Sequence, residues 1–140
     1  MDIKIVETNK EREQAYHVRT IVFVEEQHVP PEEELDQYDA KAIHFVGYVG
    51  DAPVAAGRLR FTESHGKLER ICVLALERGK SYGKMIMREM ELEIRNNGYA
   101  KAKLNAQTHV EAFYARLGYE TISGEFMDAG IPHVTMVKEL

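Results

Sequence analysis

Lys67-Leu68-Glu69-Arg70-Ile71-Cys72-Val73, Arg78-Gly79-Lys80-Ser81-Tyr82-Gly83-Lys84 and Met85-Ile86-Met87-Arg88-Glu89-Met90-Glu91 follow one another with only a short linker, Leu74–Glu77, after the first. The order is apolar strand, glycine-punctuated basic turn, amphipathic helix. A strand-to-helix turn aims several backbone N–H groups and a helix N-terminus at one point. That point attracts a phosphate, because first-turn N–H groups have no partner and the helix dipole is positive there. Two phosphate motifs fail on these residues. Gly79-Lys80-Ser81 resembles the end of a P-loop, but the glycine required five positions earlier is Leu74. The spacing of Gly79 and Gly83 does not supply a dinucleotide fingerprint either.

Working outward, Ile3 and Ile5 mark a first strand, and a helix is predicted from about residue 11 to 24, capped near Asn9, with Ala15, Val18 and Val22 on one face. Pro30-Pro31 is read as ending any helix, and the acidic stretch from His28 to Asp39 as a loop with at most a helical turn. Alternation from Ile43 to Val49, the turn Gly50-Asp51-Ala52-Pro53, and the segments 54–62 and 68–73 predict three antiparallel strands. Tyr82, Ile86, Met90 and Ile94 recur every fourth residue, so a helix is predicted over 81–96, ending at Asn96-Asn97-Gly98. A strand at 102–106, a short helix at 110–117 and strands at 119–123 and 133–138 complete the order. Hairpins followed by strand–helix–strand predict a mixed α/β sheet, mostly antiparallel, with helices packed on it.

At 140 residues the chain suits a single domain, residues 1–140. With 44% hydrophobic and 29% charged residues it is neither disordered nor membranous. The start, Met1-Asp2-Ile3-Lys4-Ile5, is not a signal peptide, and a lone cysteine fits a reducing cytoplasm. A net charge of −5 argues against general nucleic-acid binding. The six histidines show no metal-type spacing, so no metal is expected.

The sequence Arg78-Gly79-Lys80-Ser81-Tyr82-Gly83 resembles a third phosphate motif, the pyrophosphate loop Arg/Gln-x-x-Gly-x-Gly/Ala of the GNAT superfamily of acyl-CoA-dependent N-acyltransferases. Ser81 departs from it, standing at the first motif glycine. Leu104-Asn105-Ala106-Gln107 and Phe113-Tyr114-Ala115-Arg116-Leu117-Gly118-Tyr119 resemble the family's fifth strand and following helix. The predicted element order is also the GNAT order, so the resemblance covers nearly the whole chain. It is similar, more narrowly, to a small bacterial subgroup through Arg19, Phe23-Val24, Glu26-Gln27 and Asp128 to His133.

The resemblance implies transfer of an acetyl group from acetyl-CoA to an amine. It implies that Ile71, Cys72 and Val73 hold the pantetheine arm, that Arg78, Gly79, Lys80, Ser81, Tyr82, Gly83 and Lys84 take the pyrophosphate, and that Asn105 binds the pantetheine or orders a water. It implies that Tyr114 is the general acid, since a phenol is protonated at neutral pH. Glu69 is the best candidate base; the alternative is a sheet-surface glutamate paired to Arg58 or Arg60. Glu26 and His28 border the expected acceptor site, with His133 a weaker candidate. Cys72 reads as a small core residue rather than a nucleophile. Glu32-Glu33-Glu34 is either a solvated loop or an acidic lip that attracts an amine. A non-catalytic acyl-CoA-binding protein is the rival reading, and a homodimer through the C-terminal strands is the partner the family suggests.

Overall fold

A computed structural model describes residues 1–140. Strand β1 (Asp2–Ile5) leads into helix α1 (Asn9–Arg19). Thr8, one residue before the predicted cap, starts that helix with a capping box. Its hydroxyl accepts from the Glu11 N–H at 3.1 Å, and the Glu11 carboxylate accepts from the Thr8 N–H at 3.1 Å. Instead of continuing as an α-helix to Val24, the chain widens into π-helical turns over Thr20–Glu26. Thr20-Ile21-Val22-Phe23-Val24 is rich in β-branched side chains, which lose rotamer freedom in an α-helix. Pro30-Pro31 separates this element from the next but does not forbid a helix. Pro31 opens helix α2 (Pro31–Glu34) at the first helical position, where its missing N–H would have had no partner.

Strands β2 (Ile43–Val49), β3 (Ala52–Phe61) and β4 (Gly66–Val73) form the predicted antiparallel run. Helix α3 (Tyr82–Asn96), strand β5 (Lys101–Gln107) and helix α4 (Glu111–Arg116) follow. The chain ends in β6 (Glu120–Thr121), β7 (Phe126–Asp128) and β8 (Ile131–Glu139). The sheet order is β1-β2-β3-β4-β5-β8-β6, with β7 paired to β8. The sequence reading missed β7. Asp128 pairs with Ile131 across a two-residue turn in which Ala129 (φ 52°) and Gly130 (φ 74°) are both left-handed, as a type I′ hairpin requires.

The one parallel contact, β4 with β5, spans only Gly66–Leu68 against Ala102–Leu104. Past Leu68 the two strands part. On the other side of β4, Arg58 opposes Glu69 and Ala56 opposes Cys72, so Gly57 faces both Arg70 and Ile71. This is a β-bulge, and Arg70 takes the left-handed backbone (φ 56°) within it. The extra residue shifts the side-chain alternation. Leu68 and Ile71 pack with the α3 core, while Cys72 packs with α1.

Helix α3 covers one face of the sheet with Ile86, Met90 and Ile94, all fully buried against Leu59, Leu68 and Leu104. Two glycines let it lie close. A Cβ on Gly57 would stand 2.8 Å from Met90 Sδ, and one on Gly66 2.5 Å from Ile94 Cγ1. Helix α1 and the π-helical turns after it cover the opposite face with a smaller cluster of Ala15, Val18 and Val22 on Val46, Ala56 and Cys72.

Candidate active site

A cleft of about 1070 Å³ opens where β4 and β5 separate. Ile71, Cys72 and Val73 form one wall, and Asn105, Phe113 and Tyr114 the other. Beyond Leu68 the β4 main chain has no strand partner on the β5 side. Backbone N–H and C=O groups need partners, so an extended ligand can enter here as a pseudo-strand.

The glycine turn lies at one end of the cleft, with Arg78, Gly79, Ser81, Tyr82, Gly83 and Lys84 on its wall. Gly79 (φ 81°) and Ser81 (φ 65°) are both left-handed. Ser81 sits immediately before α3, and its side chain makes no capping hydrogen bond. The first N–H groups of a 15-residue helix therefore remain available to an anion. A Cβ on Gly83 would stand 3.3 Å from Phe113 Cζ, so this glycine lets α3 approach α4.

Arg78 and Lys80 are engaged elsewhere. Arg78 donates Nε to the Val73 carbonyl (3.0 Å), and Nη1 and Nη2 to the Glu26 carboxylate (2.7 and 2.8 Å). Glu26, expected at the acceptor site, lines the cleft and is tied to the loop, and the Arg78 hydrogen bonds hold its carboxyl below the usual range. Lys80 pairs with Glu77 at 2.9 Å and lies off the cleft wall. His28 is exposed and also off the wall, turned outward by its left-handed backbone (φ 61°).

Tyr114 is 8% exposed, and its hydroxyl has no hydrogen-bond partner within the protein. Burial, and then the neighbouring Cys72, push its pKa well above that of a free phenol. The Cys72 thiol is pushed up by burial to about 12, so it is protonated and inert at neutral pH. Asn105 accepts from the Thr135 hydroxyl at 2.9 Å across β8. Gln107 donates to the Gln27 side-chain oxygen at 2.8 Å and so bridges β5 to the end of the π-helical segment.

At the other end the cleft meets a partly buried ion network. Arg19, fully buried, donates to Glu34 at 2.8 Å and Asp39 at 2.7 Å. Arg58, 1% exposed, reaches Asp36 at 2.7 Å and Asp39 at 3.0 Å. Arg60 holds Glu69 with two hydrogen bonds, 2.6 and 3.1 Å, and lies 3.8 Å over the Tyr38 ring. Arg70 donates to the Glu33 and Glu34 carbonyls and to Asp36. Burial alone would raise the Glu69 pKa. The Arg60 hydrogen bonds and the charges of Arg58, Arg60 and Lys67 outweigh it, so the carboxyl titrates below its usual range. The sheet-paired reading of Glu69 is therefore the geometry found, although Glu69 also lines the cleft.

Residues 7–140 match the family described as Acetyltransferase (GNAT) domain. The chain is 44% identical to the uncharacterized N-acetyltransferase YjcF of Bacillus subtilis over 140 residues, covering 99% of this chain and 100% of that protein. This chain belongs to the GNAT acetyltransferase family. An acyl-CoA N-acyltransferase structure from Pseudomonas aeruginosa superposes with a TM-score of 0.87 at 25% identity, over 98% of each chain. A GNAT family acetyltransferase from Elizabethkingia anophelis, solved with acetyl-CoA bound, shares the fold at a TM-score of 0.78 and 14% identity, over 99% of this chain and 97% of that one.

Within this GNAT fold, the sequence reading missed the Arg70 bulge, the Tyr38–Arg60 stack and the arginine network. The signal for the network lay in Arg58 and Arg60 alternating on one strand, downstream of the acidic stretch Glu32 to Asp39. The structure brings Asp36 and Asp39 onto Arg58, and Glu34 and Asp39 onto Arg19. Of the expected acidic lip, only Glu32 and Glu33 keep free carboxylates at the rim.

Proposed function

We propose that this protein transfers the acetyl group of acetyl-CoA directly to a primary amine of a small molecule or a protein. The observation that carries the reading is the Tyr114 hydroxyl, free of protein partners, in a cleft whose β4 edge has lost its strand neighbour. Acetyl-CoA supplies a thioester already activated for attack by nitrogen. The unpaired β4 backbone around Ile71–Val73 would hold the pantetheine arm, and one N–H there would polarise the thioester oxygen. The left-handed turn at Gly79 and Ser81 and the N-terminus of α3 would receive the pyrophosphate. Asn105 would order the arm from the β5 side.

Tyr114 would protonate the departing thiolate. Its raised pKa ensures that it enters the reaction protonated. Cys72 takes no part as a nucleophile. We assign Glu69 a holding role in place of the base role suggested by the sequence. A carboxylate clasped by Arg58 and Arg60 is a poor proton acceptor from an ammonium with a pKa of about 10. The amine therefore enters neutral.

The test is calorimetric titration of acetyl-CoA into wild type, Gly83→Glu and Tyr114→Phe, with coenzyme A release followed over a panel of amines. Tyr114→Phe is expected to keep acetyl-CoA affinity and to lower kcat by about 10²–10⁴-fold. Gly83→Glu is expected to lose binding. An unchanged rate in Tyr114→Phe would remove the acid role. Binding without turnover of any amine would favour the non-catalytic acyl-CoA-binding reading.

A further inference from the structure

We propose that the acceptor amine also carries a carboxylate, which Arg70 and Lys67 receive at the far end of the cleft. The inference rests on the acetyl-transfer reading above and names the acceptor class for the same site.

The ion network at that end is unbalanced. Arg19, Arg58, Arg60, Lys67 and Arg70 pair only with Glu34, Asp36, Asp39 and Glu69, five cations to four carboxylates, while Glu32 and Glu33 stand unpaired at the rim. The cations with donors to spare are on the cleft side of the network. Arg19 and Arg58 are sealed at 0% and 1% side-chain exposure, whereas Arg60, Arg70 and Lys67 stand at 22%, 25% and 28% on the cleft wall. These three also keep unused donors. The protein gives no acceptor to Nη1 of Arg60 or Nη1 of Arg70. Lys67 Nζ is 3.7 Å from its nearest carboxylate oxygen, Glu69 Oε2, beyond hydrogen-bond length.

The positions are fixed rather than left to long, mobile side chains. The bulge holds the Arg70 backbone in a left-handed conformation that a non-glycine residue adopts only when its surroundings enforce it. The Tyr38 ring lies under the Arg60 guanidinium. Burial and the charges of Arg58 and Arg19 disfavour the charged form of Arg70, against the pull of Glu34 and Asp36. A planar guanidinium with two free N–H groups suits a carboxylate, and an ammonium on the same cleft wall adds charge. A second ammonium on the acceptor would meet like charge there.

The experiment compares matched acceptors, namely the twenty L-amino acids, β-alanine and 4-aminobutyrate, each against its carboxamide, with 1,3-diaminopropane as the dicationic control. Coenzyme A release gives kcat/KM, and titration into the protein loaded with coenzyme A gives direct binding. At least one free acid is expected to exceed its carboxamide by tenfold or more. Lys67→Gln, a partly exposed side chain without hydrogen bonds, is expected to cut that preference at least threefold at unchanged acetyl-CoA affinity. Arg70→Gln is expected to abolish it, and should that variant not fold, Lys67→Gln carries the test alone. Equal or better use of the carboxamides or the diamine overturns the inference. So does the absence of any free-acid binding by a protein that binds acetyl-CoA normally, in which case the acetyl-transfer reading survives. Failure of the folded wild type to bind acetyl-CoA brings down both.

Discussion

The two faces of the central sheet are built on different physics. Under α3 the contacts are apolar and close, with Ile86, Met90 and Ile94 set onto Gly57, Gly66 and Leu68. Under α1 the apolar part is thin, mostly alanine and valine, and fully buried arginines take the place of large hydrocarbons. The first face needs only side chains of the right size. The second needs each charge to meet its partner, because a buried charge without one is strongly destabilising. The cleft opens between these two regimes, and the charged face lines one end of it.

The comparison can be broken most severely at Arg19. Arg19→Met removes the hydrogen-bonding side-chain partner of buried Glu34 and one of the two arginines on Asp39, and is expected to lower unfolding free energy by about 3–5 kcal/mol, read from urea denaturation. Ile94→Ala on the opposite face is expected to lose about 2–5 kcal/mol through its cavity alone. An Arg19→Met variant as stable as wild type would mean that the network is dispensable.

Acid separates the two faces next. Burial would raise the Asp39 pKa, but hydrogen bonds from Arg19, the Asp36 backbone and Arg58, with the Arg19 charge, hold it well below the usual carboxylate range. The unfolded chain then binds more protons than the folded one, so the stabilisation is complete above the unfolded pKa and is lost as pH falls through the folded value. Glu69 is shifted in the same direction. The urea midpoint is expected to fall steadily from about pH 5 downward, and Asp39→Asn to flatten that slope. A slope unchanged in Asp39→Asn would place the acid sensitivity elsewhere.

The smallest effect sharpens the view of the loop joining the two regimes. Ser81 holds a left-handed backbone (φ 65°, ψ 18°) that glycine adopts without steric penalty. Ser81→Gly is expected to be stabilising by about 0.5–1 kcal/mol, since the relief of strain exceeds the added freedom of the unfolded chain. A lower thermal midpoint would show instead that the serine hydroxyl holds the turn.

The apolar face could be read from the sequence almost residue by residue. Ile86, Met90 and Ile94 announce α3 by spacing alone, and Gly79 and Gly83 punctuate the turn before it. The charged face was hidden because its logic is long-range. Arg19 meets Asp39 twenty residues on, and Arg58 meets Asp36 twenty-two residues back, with no periodicity to betray either pair. Local rules also misled in two places. Pro30-Pro31 signals a break equally well whether a helix ends or begins there, and the hairpin turn at Ala129-Gly130 lacks the usual Asn-Gly or Asp-Gly pair. Of the candidate site, Tyr114, Asn105 and the β4 residues lie on the cleft wall, whereas His28 and Lys80 do not, because the direction of an exposed loop side chain follows from backbone angles that composition does not encode.

The bulge at Arg70 gives strand β4 two reading phases. Before it, even-numbered positions such as Leu68 face α3; after it, odd-numbered ones such as Ile71 and Val73 do. The length of this segment therefore carries information apart from its composition. Gaining or losing one residue between Leu68 and Cys72 would leave the hydrophobic content nearly the same, yet it would exchange the α3 face for the α1 face along the rest of the strand. In descendants of this sequence, substitutions should accumulate here far more readily than insertions or deletions.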